Sequence, residues 1–474
     1  MKPSIPCPHA AQCGGCQLLA LPYERQLEQK QANVVRLMPS GCEIHPILPS
    51  PDALGYRHKC QVAFRRQGKN EIVFGTYAPN SHRLVPFTKC LLHHPVADPI
   101  FRSIASLAKQ FRIEPFDDRK GTGFLRHAMV RCGRQTGEIL VVLVTARSMF
   151  PGSRNFVRRL LALHPEITTV VQNINPDFTS MVLGRQEKVL YGSGFIRDKL
   201  CGMTFQLSAA SFFQVNPAQT ERLYQAAIGF AGLTGKENVI DAYCGTGTIG
   251  LLAAPHAKRV LGFEQNCHAV QDAVRNAKRN RVSNISFVCA DAGQKLVELA
   301  AQGKRADVVF TDPPRSGCSE HFLQALLEMQ PEKIVYVSCN PETQARDIQM
   351  LAPLYRTQAV QPVDLFPQTE HCETVVLLSK LNTKQHIEVE LNLDELDLTS
   401  AESKATYDEI KAYVLEKHGL KVSSLYISQV KRKCGLDVGQ NYNLSKKEDA
   451  KVPQCPPEKE AAIMEALKHF QMLE

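Results

Sequence analysis

The chain has 474 residues, 44% of them apolar, enough to bury a large core and, at about 150 residues per domain, to fill roughly three domains. No charged-then-apolar leader opens it, and its longest apolar run, Ile139 to Val144, falls far short of the roughly 20 residues that span a bilayer. This argues against secretion or membrane insertion and for a soluble, cytoplasmic protein. The net charge is +9, yet from Leu381 onward there are 13 Lys and Arg against 16 Asp and Glu, which leaves 43 against 31, an excess of +12, on residues 1–380. A basic excess confined to one part of a chain suits a polyanion-binding surface. On charge alone, a merely solvated basic surface fits as well.

Residues 1–22 are rich in Cys, Pro and Gly and cannot form a core unaided. They contain Cys7-x5-Cys13-Gly-Gly-Cys16, three closely spaced thiols in a metal-ligand pattern that lacks a fourth member. The other cysteines of this large chain are spread without a repeating frame, and reduced thiols are expected for them. From about 45 to 204, segments such as CQVAFRR, EIVFGTY, HAMVRCG and GEILVVLVTA are separated by turn residues, which predicts a largely antiparallel, β-rich central domain with some helix.

From 205 to 380 the pattern changes. The runs NVIDAYCG, RVLGFEQ, ISFVCAD, ADVVFTDPP, KIVYVSCNP and ETVVLLSK alternate with helical stretches, which predicts a doubly wound α/β domain with a parallel sheet and crossover helices. Beyond 385, the acidic IEVELNLDELD leads into the helical patterns TYDEIKAYVLEKHG and SSLYISQVKRKCG, a small helical appendage. Lys431, Arg432 and Lys433 read first as a solvated helix end and only secondarily as a phosphate contact.

The stretch Asp241-Ala242-Tyr243-Cys244-Gly245-Thr246-Gly247-Thr248 joins a strand to an apolar helix, and its glycines let backbone approach a ligand at the carboxyl end of the first strand. Glu264 ends the next strand, 19 residues after Gly245, where an acid can accept ribose hydroxyls. Asp291 ends the third strand and is expected to reach an adenine amine. The full diphosphate-binding glycine pattern is missing. The ligand that fits is S-adenosylmethionine, with adenosine and no diphosphate.

Asp312-Pro313-Pro314-Arg315 forms a stiff loop after the fourth strand, Cys339 follows the fifth, and Glu373 precedes the last. A cysteine and a glutamate on adjacent loops suit methylation of C5 of uracil, a poor nucleophile. A thiolate adds to C6, C5 becomes enolate-like and takes a methyl group, and a carboxylate then removes the C5 proton so that the thiolate can leave. A buried structural thiol is the competing reading of Cys339. Cytosine-C5 chemistry would use a second cysteine, for which Cys318 is the nearby candidate.

Taken together, SFFQVNP (211–217), DAYCGTGTIG (241–250), GFEQN (262–266), DPPRSG (312–317), VSCNP (337–341) and FPQTEHCETV (366–375) resemble the RNA 5-methyluridine methyltransferases, especially the iron–sulfur-containing 23S ribosomal RNA uracil-C5 enzymes. The resemblance implies that Gln214, Tyr243, Glu264 and Asp312 contact S-adenosylmethionine, with Thr248 and Asp291 as additions. Cys339 would be the nucleophile, Glu373 the base, and His371 an orienting residue for its loop. Arg126, in Leu125-Arg126-His127, would meet RNA phosphate. Cys90 would join Cys7, Cys13 and Cys16 around a [4Fe–4S] cluster, for which four thiolates are suited, as they also are for zinc. The same resemblance leaves transfer RNA as the alternative substrate and a non-catalytic RNA-binding relative as the alternative class. Six residues precede Cys7, so the small β-barrel RNA-binding domain that opens many family members is expected to be absent.

Overall fold

The structure, a computed structural model, describes residues 7–68, 71–177, 181–381, 407–434 and 455–470. The acidic IEVELNLDELD stretch lies outside them. Contacts divide the chain into two units, residues 1–385 and 386–474.

The first unit begins with α1 (Ala10–Cys13), α2 (Tyr23–Leu37) and β1 (Glu43–Ile44). Gln26, Lys30 and Val34, spaced four apart, are the buried stripe of α2. The β-rich region follows as β2 (Lys59–Gln67), β3 (Glu71–Tyr77), β4 (Leu84–Pro86), α3 (Ala97–Gln110), β5 (Leu125–Cys132), β6 (Ile139–Thr145), α4 (Ser153–Leu163), β7 (Ile167–Ile174) and β8 (Gln186–Tyr191). These strands form a sheet in the order β4-β3-β2-β5-β6-β7-β8. Its neighbours are antiparallel except β6 and β7, which α4 links as a crossover. One face packs Val62, Phe64 and Val141 against Phe101 of α3 and Phe156 of α4. On the other face, Leu140, Val142 and Val144 are buried with Phe205 and Leu223. Burial on both faces is why β6 reads as an unbroken apolar run rather than an alternating one.

A hairpin, β9 (Ile196–Leu200) and β10 (Met203–Leu207), leads into α5 (Pro217–Ala231) and then β11 (Asn238–Ala242), α6 (Thr248–Ala253), β12 (Arg259–Glu264), α7 (Cys267–Arg279), β13 (Ile285–Cys289), α8 (Ala292–Ala301) and β14 (Val308–Thr311). The unit closes with α9 (Glu320–Met329), β15 (Lys333–Ser338), α10 (Pro341–Leu351), β16 (Tyr355–Val363) and β17 (Glu373–Lys380). The second sheet runs β1-β16-β17-β15-β14-β11-β12-β13. Strands β11 to β15 are parallel, and their order reverses between β11 and β14, where a crevice opens beyond the carboxyl ends.

The structure corrects the expected all-parallel sheet, because β17 is antiparallel to both β15 and β16. Nine residues, 364–372, separate β16 from β17, fewer than the dozen or so that a parallel crossover needs. A second correction concerns the thiols: Cys267 and Cys289 form a disulfide with Cα atoms 5.2 Å apart. Neighbouring β12 and β13 bring the two together, since Cys289 pairs in register with Glu264, three residues before Cys267. Strand β1 pairs with β16, so the segment around α2, unassigned by sequence, belongs to this sheet.

In the second unit, α11 (Tyr407–His418), α12 (Ser424–Lys433) and α13 (Pro457–His469) bury Ile410, Val414, Ile427, Val430, Ile463 and Leu467 together. Lys431 is buried, and Lys433 is ion-paired with Glu460. Among the described residues, no helix is long and apolar enough to cross a membrane.

The turn from β11 into α6 is tightly packed. The Gly250 N–H donates to Asp241 Oδ2 at 2.7 Å, and a Cβ on Gly250 would stand 2.8 Å from that oxygen. Gly250→Ala is expected to destabilise the protein by about 1–3 kcal/mol through overpacking, read as a lower urea midpoint at unchanged slope.

Candidate active site

A cavity of about 550 Å³ lies at the carboxyl ends of β11, β12, β14 and β15, where the strand order reverses. Gln214, Tyr243, Thr248, Glu264, Asp312, Cys339 and Glu373 all line it, together with Asp241 and Arg315. Tyr243 leaves β11 with φ +61°, and its ring packs edge-on against Phe322 at 5.3 Å. Glu264 is held by backbone from both sides, Oε2 accepting from Gly245 N at 3.0 Å and Oε1 from Asn266 N at 2.7 Å. Asp291 is used differently. It caps α8 by accepting from Gln294 N at 2.9 Å and takes a bond from the Gln265 amide, while Gln265, Ala290 and Ala292 line the cavity there.

The antiparallel setting of β17 brings the side chains of Cys339 and Glu373 to the same cavity. Ser338 of β15 pairs with Thr374 of β17 as the last pair of the ladder, and just beyond it Cys339 and Glu373 both line the cavity. Asn340 caps α10 by accepting from Glu342 N at 3.1 Å, and Pro341 opens that helix, which fixes the loop after Cys339.

Electrostatics set this cavity apart. Glu373 is buried, and among the described residues its Oε2 has no hydrogen-bond partner. Burial, then the charge of Asp312, pushes its carboxyl well above the usual range, with Arg315 pulling the other way. Burial pushes Asp312 up to about 7. It also pushes Asp241 up to about 7, against the bond from Gly250 N and with help from Asp312 and Glu264. The Cys339 thiol is pushed up to about 11 by burial and by Glu373, while Arg315 favours the thiolate. Asp241 and Arg315 were not singled out from sequence. Their signal was position alone, on the strand and the loop of motifs already recognised.

Cys339 and Arg315 also border a second cavity, of about 630 Å³, with Asn33, Arg36, Asn340 and His371. His371 packs against Phe366 at 6.2 Å between ring centres. Cys318 does not reach either cavity. It is buried against Thr311 Oγ1 at 3.7 Å, so the two-cysteine arrangement of cytosine chemistry is not built here. The expected phosphate contact of Arg126 is also corrected. Its guanidinium is turned inward, donating to the carbonyls of Asn175 at 2.9 Å and Asp177 at 2.7 Å, and lies 4.5 Å over the Phe116 ring.

Among the described residues, no three His, Cys, Asp or Glu side chains are arranged to hold a single metal ion. Cys7, Cys13, Cys16 and Cys90 are nonetheless free thiols that influence one another. Burial pushes Cys16 up to about 12, with Cys90, Cys13 and Cys7 adding to it, and burial raises Cys13 with help from Cys90 and Cys7. Mutual repulsion of this kind is what a bound cation would relieve.

A family model described as tRNA (uracil-5-)-methyltransferase matches residues 166–381. An RNA methyltransferase of Staphylococcus aureus is 41% identical over 379 residues, covering 79% of this chain and 84% of its own. One from Halalkalibacterium halodurans is 42% identical over 384 residues, covering 80% and 83%. The chain belongs to the RNA uracil-5-methyltransferase family. The crystal structure of Pyrococcus abyssi tRNA (uracil-54, C5)-methyltransferase in complex with S-adenosyl-L-homocysteine is also similar, with 29% identity, a TM-score of 0.65, and coverage of 77% of this chain and 85% of that one.

This RNA uracil-5-methyltransferase uses S-adenosylmethionine, and the cavity suits such a ligand: the buried carboxyls of Asp241 and Glu373 and the partly buried one of Asp312, at one end of a sheet, favour a sulfonium and an ammonium group over anything neutral. The same burial has a pH consequence for the protein without its cofactor. The carboxyl of Asp312 is raised from 3.8 to about 7 in the folded state, so the stability it contributes is full below 3.8 and is lost as pH rises through about 7. The thermal midpoint of Asp312→Asn is expected to fall less than that of the unsubstituted protein across that window, as calorimetry at several pH values would read.

Proposed function

We propose that the chain methylates C5 of a uridine in 23S ribosomal RNA through a covalent adduct between Cys339 and C6 of the base. The observation carrying this reading is that Cys339 and Glu373 share one cavity, which Gln214, Tyr243, Thr248, Glu264 and Asp312 also line, with Glu373 near enough to raise the Cys339 thiol. Asp291, bonded to the cavity-lining Gln265, completes the proposed cofactor set.

The target base is flipped from its stack into the cavity. Cys339, its thiolate favoured by Arg315, adds to C6, and C5 gains the electrons it needs. S-adenosylmethionine supplies the electrophilic methyl group. Glu373 then takes the C5 proton, and the electron pair of that C–H bond re-forms the C5–C6 double bond as the Cys339–C6 bond breaks and releases the thiolate. The burial that raises the carboxyl of Glu373 makes it a stronger base once ionised, and its unpartnered Oε2 is free to receive the proton. Cys7, Cys13, Cys16 and Cys90 would hold a [4Fe–4S] cluster, whose role is structural, since transfer from a sulfonium consumes no electron.

A second reading keeps the chemistry and changes the substrate to transfer RNA. The structural likeness to the Pyrococcus abyssi enzyme supports it.

Incubation with a tritiated methyl donor and either ribosomal or transfer RNA, followed by mapping of 5-methyluridine, decides between the two. Label in transfer RNA alone overturns the ribosomal assignment. Cys339→Ala is expected to abolish turnover, while Glu373→Gln accumulates a protein–RNA adduct stable to denaturing electrophoresis. An active alanine variant would remove Cys339 from the mechanism. Protein purified without oxygen is expected to carry about four iron and four sulfide per chain, lost in Cys90→Ser, whereas zinc in their place would overturn the cluster.

A further inference from the structure

Among the described residues nothing bonds the carboxylate of Glu373 at Oε2, so the aim of this side chain depends on the backbone that delivers it. That backbone is the nine-residue connection between β16 and β17, which lacks regular structure of its own and includes Gln368 at φ +70°. Asn216 Nδ2 donates to the Leu365 carbonyl at 3.1 Å and the Tyr56 hydroxyl to the Pro367 carbonyl at 3.0 Å, but the densest set of side-chain bonds to the connection comes from α2. Asp364 Oδ1 accepts from Lys30 Nζ at 2.6 Å and Oδ2 from the Tyr23 hydroxyl at 2.7 Å. Lys30 also donates to the Phe366 carbonyl at 3.1 Å. Gln26 and Gln368 bond reciprocally. Gln26 Nε2 donates to Gln368 Oε1 at 2.8 Å, and Gln26 Oε1 accepts from Gln368 N at 3.0 Å.

All four of Gln26, Lys30, Asp364 and Gln368 are buried, so each bond is made away from competing water. Breaking one side of such a network leaves its partner unpaired, which costs more than the bond itself contributes. The same amide of Gln26 reaches the carbonyls of Leu18 at 3.0 Å and Leu21 at 2.9 Å, and Leu18 N donates to the Gln368 carbonyl at 3.0 Å. The cysteine-bearing segment and the base-bearing connection thus meet at one glutamine.

We propose that α2 is the positioning element for the catalytic base, with Gln26 and Lys30 setting where the Glu373 carboxylate stands relative to the C5 proton. This rests on the mechanism proposed above and adds the residues that control one of its steps. Cys339 is carried by a different loop, after β15, so a loosened connection slows proton removal and leaves addition to C6 and methyl transfer largely intact. A merely structural role of α2 would lower every step together.

The test uses Gln26→Met, close in volume but without hydrogen bonds, in the full-length protein with an RNA that the unsubstituted protein methylates. Turnover is expected to fall about tenfold to a hundredfold, as a misaimed group typically costs, with KM for both substrates changed less than about twofold. The methylated RNA–protein adduct should accumulate on denaturing gels, and tritium release from 5-tritiated uridine should lag behind methyl incorporation. Lys30→Arg, which keeps the charge opposite Asp364, should recover most of the turnover lost in Lys30→Met. If Gln26→Met does not fold, Tyr23→Phe, which removes one hydroxyl from Asp364, should show the same adduct at a lower level. Unchanged turnover in a folded Gln26 variant, or adduct and product falling in equal proportion, overturns the positioning role alone. Absence of both 5-methyluridine and adduct with the unsubstituted protein overturns the mechanism beneath it.

Discussion

Three carboxyl groups withdrawn from water in one cavity, two of them fully buried, are the constraint around which this active site is arranged. Asp241 and Glu373 are almost fully enclosed and Asp312 is partly so, and among the described residues none forms a salt bridge. Removing such groups from water without a counterion is costly, and the fold meets that cost by letting them hold protons more tightly than usual. A cavity of this kind is incomplete by itself. A cationic ligand changes the balance for all three at once, which links cofactor binding to the ionisation of the residue proposed to act as base.

Topology decides which residues share that cavity. The parallel strands β11 to β15 bring their carboxyl ends to one edge, so Tyr243, Glu264, Asp312 and Cys339 arrive there simply by following their strands. Glu373 arrives by the opposite logic. It precedes its strand, and it can reach the same edge only because β17 runs antiparallel and starts where its neighbours finish. Reversing β17 would carry Glu373 to the far side of the sheet. The single strand that breaks the parallel pattern is therefore the one that makes a cysteine–glutamate pair.

Much of this was legible from sequence because it is local. Strand runs followed by glycines, acids or prolines mark strand ends, and a sheet of parallel strands gathers such ends by construction. What was not legible depends on partners distant in the chain. An apolar run such as TVVLLS does not state its direction, and only the short connection before it argued against a crossover. Arg126 sits in a basic, polar tripeptide yet spends its guanidinium on the Asn175 and Asp177 carbonyls, residues about fifty positions away. Asp291 ends a strand as expected, but the next helix needed a cap, and that demand took one of its oxygens. Cys267 and Cys289 became partners only because their strands are neighbours.

The segment around α2 shows the same limit from the other direction. Its sequence, YERQLEQKQANVVRL, looks like an ordinary polar surface helix, and its buried stripe is Gln26, Lys30 and Val34 rather than three apolar residues. A glutamine and a lysine survive there only because Gln368 and Asp364, more than 330 residues away, satisfy them. An apolar stripe would bury more surface at less electrostatic risk, and it would hold α2 in place equally well. It would not, however, define the backbone of the connection atom by atom, since hydrophobic contact is non-directional and hydrogen bonds are not. Polar residues at these positions make sense where the position of the connection, more than the stability of the helix, is what the fold must fix.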